Sequence, residues 1–315
     1  MRALVTGASG FVGRHLTTAL VDAGYDSVLG AGGPNDRGDF FPIDLSDGDT
    51  LRAALDVVRP DAVFHLAAQA SVPDAQSDPA TTYDVNVLGT ARLLRAVRSY
   101  RDDGHAAPRI VFSSSADVYG VRDPGDYPLV ETLEPRPANP YSASKVAAEA
   151  ILQGEARSFG LDVVIARSFN HIGPGQNDRF AVASFALQLA RIAAGARPLL
   201  AVGNLDAKRD FLDVRDVVAA YVALARDGKG GETYNVCSGD AFSLKRILGD
   251  LITIAHVAVE VRDDPARMRP ADTPLLVGSS DKLRRATGWS PSVPMARSLR
   301  DIYEDARARV SKETA

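Results

Sequence analysis

The chain has 315 residues, 45% of them hydrophobic and 24% charged, the proportions of a globular protein with one large core and room for a second, smaller one. With 36 Lys plus Arg against 40 Asp plus Glu, the formal net charge is −4, so no general positive field exists to hold nucleic acid or an anionic membrane, and an anionic ligand must meet local groups. The single cysteine, Cys237, excludes internal disulfides and cysteine-based metal clusters, and His15, His65, His105, His171 and His256 lack metal-ligand spacing, so no metal is expected.

Met1 leads into an apolar run that is too short for a signal-peptide core, and no stretch approaches the ~18 apolar residues of a membrane span, so a cytoplasmic location is expected. Short apolar runs then alternate with helical patterns: 3–6 then 11–23, 62–66 then 81–98, 109–113 then 141–159, and 163–166. This alternation predicts an α/β fold, a doubly wound parallel sheet with helices on both faces. Residues 62–66 and 110–112 are almost continuously apolar, as strands buried on both faces must be. Residues 1–168 therefore read as one Rossmann-type domain. Beyond Phe169 come a Gly/Pro-rich turn, helices near 180–194 and 213–226, several short strands and an amphipathic segment at 295–310, so 169–315 reads as a smaller mixed substrate lobe, with some chain crossing back.

Directly after the first strand, Gly7, Gly10 and Gly13 are spaced GxxGxxG at the start of a helix. Gly7 permits a tight turn, Gly10 admits a pyrophosphate close to the backbone, and Gly13 lets the helix pack on the sheet, while the free N–H groups of the helix start, with Phe11 and Val12, face the anion. This predicts a dinucleotide cofactor. The second strand, near 27–29, runs into Gly30-Ala31-Gly32-Gly33 without the acid that would bind a ribose 2′-hydroxyl, and Arg37 lies shortly after, which favours NADP over NAD while leaving both open. Asp44 and Leu45 are placed for the adenine edge.

Tyr141 and Lys145 sit one helical turn apart just after Pro140, on one face, where an ammonium is expected to lower the phenol pKa. The phenol can then exchange a proton with a sugar oxygen while hydride moves at the carbon. Ser113, Ser114 and Ser115 end the preceding buried strand, where a serine hydroxyl can bond the same oxygen.

The segments TGASGFVG (6–13), HLAAQ (65–69), NVLGT (86–90), SSSADVYG (113–120) and YSASK (141–145) resemble the extended short-chain dehydrogenase/reductase family over residues 3 to 305. The resemblance implies Ser115, Tyr141 and Lys145 as the catalytic trio. It further implies that Leu66, Ala67, Ala68, Gln69, Asn86, Ser113, Phe169 and His171 line the cofactor, with Asn86 bracing backbone. Segments 167–176, 202–211 and 264–272 narrow the likeness to the subgroup of GDP-mannose 4,6-dehydratases and GDP-4-keto-6-deoxymannose reductases. This implies a GDP-sugar held by Ser71, Val72, Ser115, Asn170, Arg179, Arg209, Arg269 and Asp272, with the arginines offering forks to a diphosphate. The dehydratases place a hydroxyl residue and a glutamate at the positions of Ser115 and Asp117, and Asp117 is one methylene, about 1.5 Å, shorter. A reductase is therefore expected, converting GDP-4-keto-6-deoxymannose to GDP-rhamnose with NADPH or NADH. A 4,6-dehydratase, a 4-epimerase, the same reduction of a GDP-4-keto-6-deoxyheptose and a non-catalytic cofactor-binding regulator are the alternatives. A homodimer through helices near 81–100 and 141–159 is expected from relatives.

Overall fold

The structure is a computed structural model that describes residues 1–33, 40–267 and 273–313. Its first half runs β1 (Arg2–Thr6), α1 (Phe11–Asp22), β2 (Ser27–Gly32), β3 (Phe41–Pro42), α2 (Gly48–Val58), β4 (Ala62–His65), α3 (Val72–Ser77) and α4 (Pro79–Tyr83). A π-helical turn, Asp84–Leu88, leads into α5 (Gly89–Asp102), followed by β5 (Arg109–Ser115), a 3-10 turn (Ala116–Tyr119), α6 (Pro140–Phe159) and β6 (Val163–Ser168). The second half continues β7 (Asn170–Ile172), α7 (Ala181–Ala193), β8 (Leu199–Val202), β9 (Lys208–Asp213), α8 (Val214–Asp227), β10 (Thr233–Val236) and β11 (Ala241–Ser243). It ends with α9 (Leu244–Ala255), β12 (Glu260–Asp263), β13 (Leu275–Leu276), α10 (Asp281–Thr287) and α11 (Met295–Glu313).

Seven strands in the order β10-β6-β5-β4-β1-β2-β3 form the main sheet, and every neighbouring pair is parallel. All four residues of β4 and all six of β6 are buried, because helices cover both faces. One face packs Leu16 and Leu20 of α1 with Val217, Tyr221 and Leu224 of α8. The other packs Leu51 and Leu55 of α2, Leu93 and Val97 of α5, and Leu152 of α6. A third core, from α7, α9, α11 and β8, holds the outer lobe together around Phe185, Leu200, Ile247 and Leu299. The strand order reverses between β1 and β4, and the crevice at their carboxyl ends is where doubly wound sheets bind ligands.

A boundary after residue 168 does not separate the cores. Helix α8, expected in the outer lobe, packs on α1, β10 becomes the edge strand beside β6, and Trp289 from beyond α10 joins the same cluster. The apolar stripe of α8 is buried against the large sheet, and the outer lobe keeps α7, α9 and α11. Among the described residues no helix is long and apolar enough to cross a membrane.

Leu224 is fully buried between α8 and the sheet. Leu224→Ala is therefore expected to cost about 3 kcal/mol, read by urea unfolding through the fluorescence of Trp289, the single tryptophan. A change below about 0.5 kcal/mol would contradict the placement of this helix in the main core.

Candidate active site

The glycine turn is built by exclusion. Gly7 has φ +73°, and a Cβ there would lie 2.8 Å from the Ala67 nitrogen; at Gly13 it would lie 2.2 Å from the Gly7 carbonyl oxygen. The turn from β1 and the turn after β4 are thus pressed together at the switch point, leaving a cradle of bare backbone where α1 begins with Phe11 and Val12. Those free N–H groups and the absent side chains fit a dinucleotide pyrophosphate. The cradle's far wall is Phe11 stacked on His171, with ring centroids 6.1 Å apart. His171 Nδ1 donates to the Phe169 carbonyl at 3.0 Å, and burial lowers its pKa, so the ring is neutral at pH 7.

Beneath the cradle a chain of hydrogen bonds crosses the ends of the strands. The Ala67 N–H donates to Thr6 Oγ1 at 3.3 Å, Thr6 Oγ1 meets His65 Nδ1 at 2.8 Å, and His65 Nε2 meets Thr90 Oγ1 at 3.1 Å. Thr90 donates its own proton to the Asn86 carbonyl at 2.7 Å, so His65 must donate through Nε2 and accept at Nδ1. Burial holds His65 neutral, its pKa pushed down to about 3, with the Lys145 charge adding to the effect. Asn86, lifted inward by the π turn, accepts from the Gln69 N–H at 2.8 Å and donates to the Gln69 carbonyl at 3.0 Å and to Ser144 Oγ at 2.9 Å. Ser144 in turn donates to the Tyr141 carbonyl at 2.7 Å. Asn86 thus acts on backbone and on α6.

Helix α6 starts with an Asn139 capping box and Pro140 in its first turn, which fixes where Tyr141 emerges. Tyr141 keeps partial solvent access, while Lys145 is 4% exposed. The Lys145 ammonium donates to the Ser113 carbonyl at 2.8 Å and lies 4.8 Å from the Phe112 ring centroid. Burial pulls its pKa down to about 8, opposed by the charge of Glu149. The phenol of Tyr141 departs from expectation. Burial first, then the Asp117 charge, push its pKa well above the ordinary tyrosine range, and a hydrogen bond with Ser115 only partly offsets them. Burial and the Asp117 charge thus work against the expected lowering of the phenol pKa, and the Lys145 ammonium is turned to the Ser113 carbonyl. Ser115 Oγ also accepts the Asp117 N–H at 3.1 Å, capping the 3-10 turn.

Other expected residues fall into three groups. Leu66, Ala67, Ala68 and Gln69 line the turn after β4, and Leu45 packs on Gly89 beside it. The Asp44 carboxylate accepts the Ser46 N–H at 2.8 Å, and Ser46 keeps its pKa low, so it remains an acceptor. Ser71 caps α3, which begins at Val72, and Asp74 of that helix pairs with exposed Arg179 at 3.0 Å, bringing these three together at the cleft mouth. Asn170 is exposed on β7, which runs beside the β9 strand of Arg209. The Phe169 side chain is 1% exposed, packed with Tyr119 and Cys237 in a small core and against Gly278, which leaves its backbone to border a ligand. Arg37, Arg269 and Asp272 lie outside the described residues. Sequence reasoning missed Tyr221, which reaches from α8 to Ser113 Oγ at 2.9 Å and Ser168 Oγ at 2.7 Å. It also missed the buried pair of Glu149 and Arg167 at 2.7 Å. Glu149 had a signal, since it follows Lys145 by four residues.

The family model for GDP-mannose 4,6 dehydratase matches residues 4–302. The chain belongs to that family, within the extended short-chain dehydrogenases/reductases. It is 42% identical to the GDP-6-deoxy-D-mannose reductase of Pseudomonas aeruginosa, with 99% of each chain covered, and 32% identical to the GDP-6-deoxy-D-talose 4-dehydrogenase of Aggregatibacter actinomycetemcomitans, with 99% of this chain and 100% of the relative covered. Among solved structures it superposes on RMD of Pseudomonas aeruginosa complexed with NADPH at a TM-score of 0.87 and 41% identity, covering 98% and 99% of the two chains. It superposes on the UDP-glucose 4-epimerase of Thermus thermophilus complexed with NAD at 0.84 and 34% identity, covering 98% and 99%.

Gly7→Ala would combine a left-handed φ with a clash against backbone. It is expected to weaken NADPH binding by at least about tenfold, ~1.4 kcal/mol, in a fluorescence titration. Unchanged affinity would show that the cofactor does not occupy this turn.

Proposed function

We propose that this chain reduces the C4 ketone of a GDP-4-keto-6-deoxy sugar, GDP-4-keto-6-deoxymannose to GDP-rhamnose, at the expense of a reduced nicotinamide. The observation that carries the reading is the placement of Tyr141 in the first turn of α6, packed at the carboxyl end of β5 where Ser115 lies, at the same edge of the sheet as the glycine turn. A ketone reduction needs a proton at the oxygen as well as hydride at the carbon, and an acid of raised pKa retains its proton until the oxygen becomes basic. When bound, reduced nicotinamide supplies the hydride.

Tyr141 donates the proton to the ketone oxygen, and Ser115 orients that oxygen. Lys145 places positive charge under the site, where negative charge develops. Asp117 keeps the phenol basic once it has given its proton away, which favours reprotonation before the next cycle. Asn170 and Arg209 face the sugar nucleotide from the outer lobe, with Ser71, Val72 and Arg179 at the entrance. The full-length similarity to the Pseudomonas aeruginosa reductase supports the substrate class, and guanine rests on that similarity. NADPH is the preferred cofactor, because β2 ends in Gly30-Ala31-Gly32 with no acid to repel a 2′-phosphate. The protein works in the cytoplasm as a homodimer through the outer faces of α5 and α6, where the preceding turns expose Tyr83 and Leu88.

A dehydratase regenerates its cofactor within each turnover, whereas a reductase consumes one reduced nicotinamide per product. With the 4-keto sugar and NADPH, the absorbance of the reduced cofactor should fall in step with product, and Tyr141→Phe should lower the rate by about 10²–10⁴ while leaving NADPH affinity unchanged. Ketone formation from GDP-mannose alone would overturn the reductase reading in favour of a dehydratase.

Lys145 is charged below its folded pKa, about 8, and neutral above it. The value of kcat/KM is therefore expected to fall as pH rises through about 8, and a profile flat to pH 10 would remove Lys145 charge from the mechanism.

A further inference from the structure

Helix α6 meets β5 through three successive turns. Tyr141 starts α6 next to the end of the strand that carries Ser115, Lys145 donates to the Ser113 carbonyl at 2.8 Å, and Glu149 accepts from Ser114 Oγ at 2.5 Å. The carboxylate also takes a fork from β6: Arg167 Nε donates to both its oxygens, at 3.0 and 3.2 Å, and Arg167 Nη2 donates at 2.7 Å. Ser114, Glu149 and Arg167 are each 3 to 4% exposed. The Arg167 guanidinium lies 4.9 Å from the Tyr119 ring centroid, and its Nη1 has no hydrogen-bond partner among the described residues. Burying a full ion pair with one donor left over is costly, and apolar side chains of the same volume would hold a helix to a sheet at least as well. The arrangement therefore serves more than packing.

We propose that Glu149 is a positioning residue that clamps the serine strand to the catalytic helix through Ser114 and supplies the one negative charge that lets Lys145 and Arg167 be buried together. Its action is on Lys145 and on the serines flanking Ser114. The groups around the Lys145 ammonium are neutral His65 from β4, the Ser113 carbonyl from β5, Tyr141 and Glu149 from α6, with Arg167 of β6 beyond Glu149. Tyr221 of α8 and Asp117 act on the phenol. Among these the Ser113 carbonyl and the Glu149 charge favour the charged form of Lys145, and burial opposes it. Without Glu149, Lys145 loses its proton at lower pH and the Ser113–Ser115 segment loses its Ser114 link to α6.

The proposal rests on the reading of Tyr141 and Lys145 as reacting groups, but its test does not need the sugar. The chain has six lysines, so Lys145 can be assigned by Lys145→Arg and its titration followed by carbon-13 NMR in the protein without substrate. In Glu149→Gln/Arg167→Met, which removes both buried charges together, the Lys145 midpoint is expected to fall by about 1 pH unit. The alkaline limb of kcat/KM should move with it, and kcat should drop at least about tenfold. Ser114→Ala, which alters no charge and is the variant to rely on if the double change does not fold, should lower kcat about threefold or more without moving the titration. An unmoved Lys145 titration in the folded double variant, or wild-type kcat in Ser114→Ala, overturns the proposal. Failure of the wild-type protein to reduce any 4-keto sugar would instead remove the functional reading and leave the NMR result standing.

Discussion

A continuous path of hydrogen bonds from Thr6 through His65, Thr90, Asn86 and Ser144 to the Tyr141 carbonyl ties the phosphate cradle to the start of the catalytic helix. It joins β1, β4, the π turn, α5 and α6, and burial keeps its one titratable ring, His65, neutral. Reduction at a sugar carbon needs a hydride donor and a proton donor fixed within a few tenths of an ångström of each other. In a doubly wound sheet these groups come from opposite sides of the switch point, and the path makes their separation a property of the buried sheet edge.

The electrostatics follow from burial. Lys145, Glu149, Arg167 and His65 are withdrawn from water: Glu149 and Arg167 pair, His65 is neutral, and the Lys145 ammonium is held by the Ser113 carbonyl. The phenol of Tyr141 is weakly acidic for the same reason, with Asp117 adding to it. In the proposed reduction tyrosine is a retained acid, and Lys145 acts through charge and through the Ser113 carbonyl. Asp117 occupies the position at which the dehydratases carry a glutamate, but its influence here falls on the phenol.

The doubly wound sheet was legible in the sequence because strands buried on both faces must be almost wholly apolar, and β4 and the middle of β5 have that texture. The residues proposed to react were legible too as a pattern, since a glycine turn and a tyrosine one helical turn before a lysine are local signals. What periodicity could not show is which sheet an element joins: the stripe of α8 fits either lobe, and only the structure places Tyr221 under Ser113 and Ser168. The π turn that carries Asn86 has no signature in a pattern read as one helix over 81–98. The resemblance implied Phe169 at the cofactor, and the direction of its ring is not written in the motif: it sits between β6 and β7 and packs against Gly278.

The central claim is geometric: the protonated phenol stands at the sugar oxygen. A crystal structure with NADPH and a GDP-linked sugar tests it most directly. The account requires the Tyr141 hydroxyl within about 3 Å of the C4 oxygen, with Ser115 bonded to the same atom. A sugar whose C4 oxygen lies beyond hydrogen-bond reach of Tyr141, with another side chain in contact with it, would contradict the account.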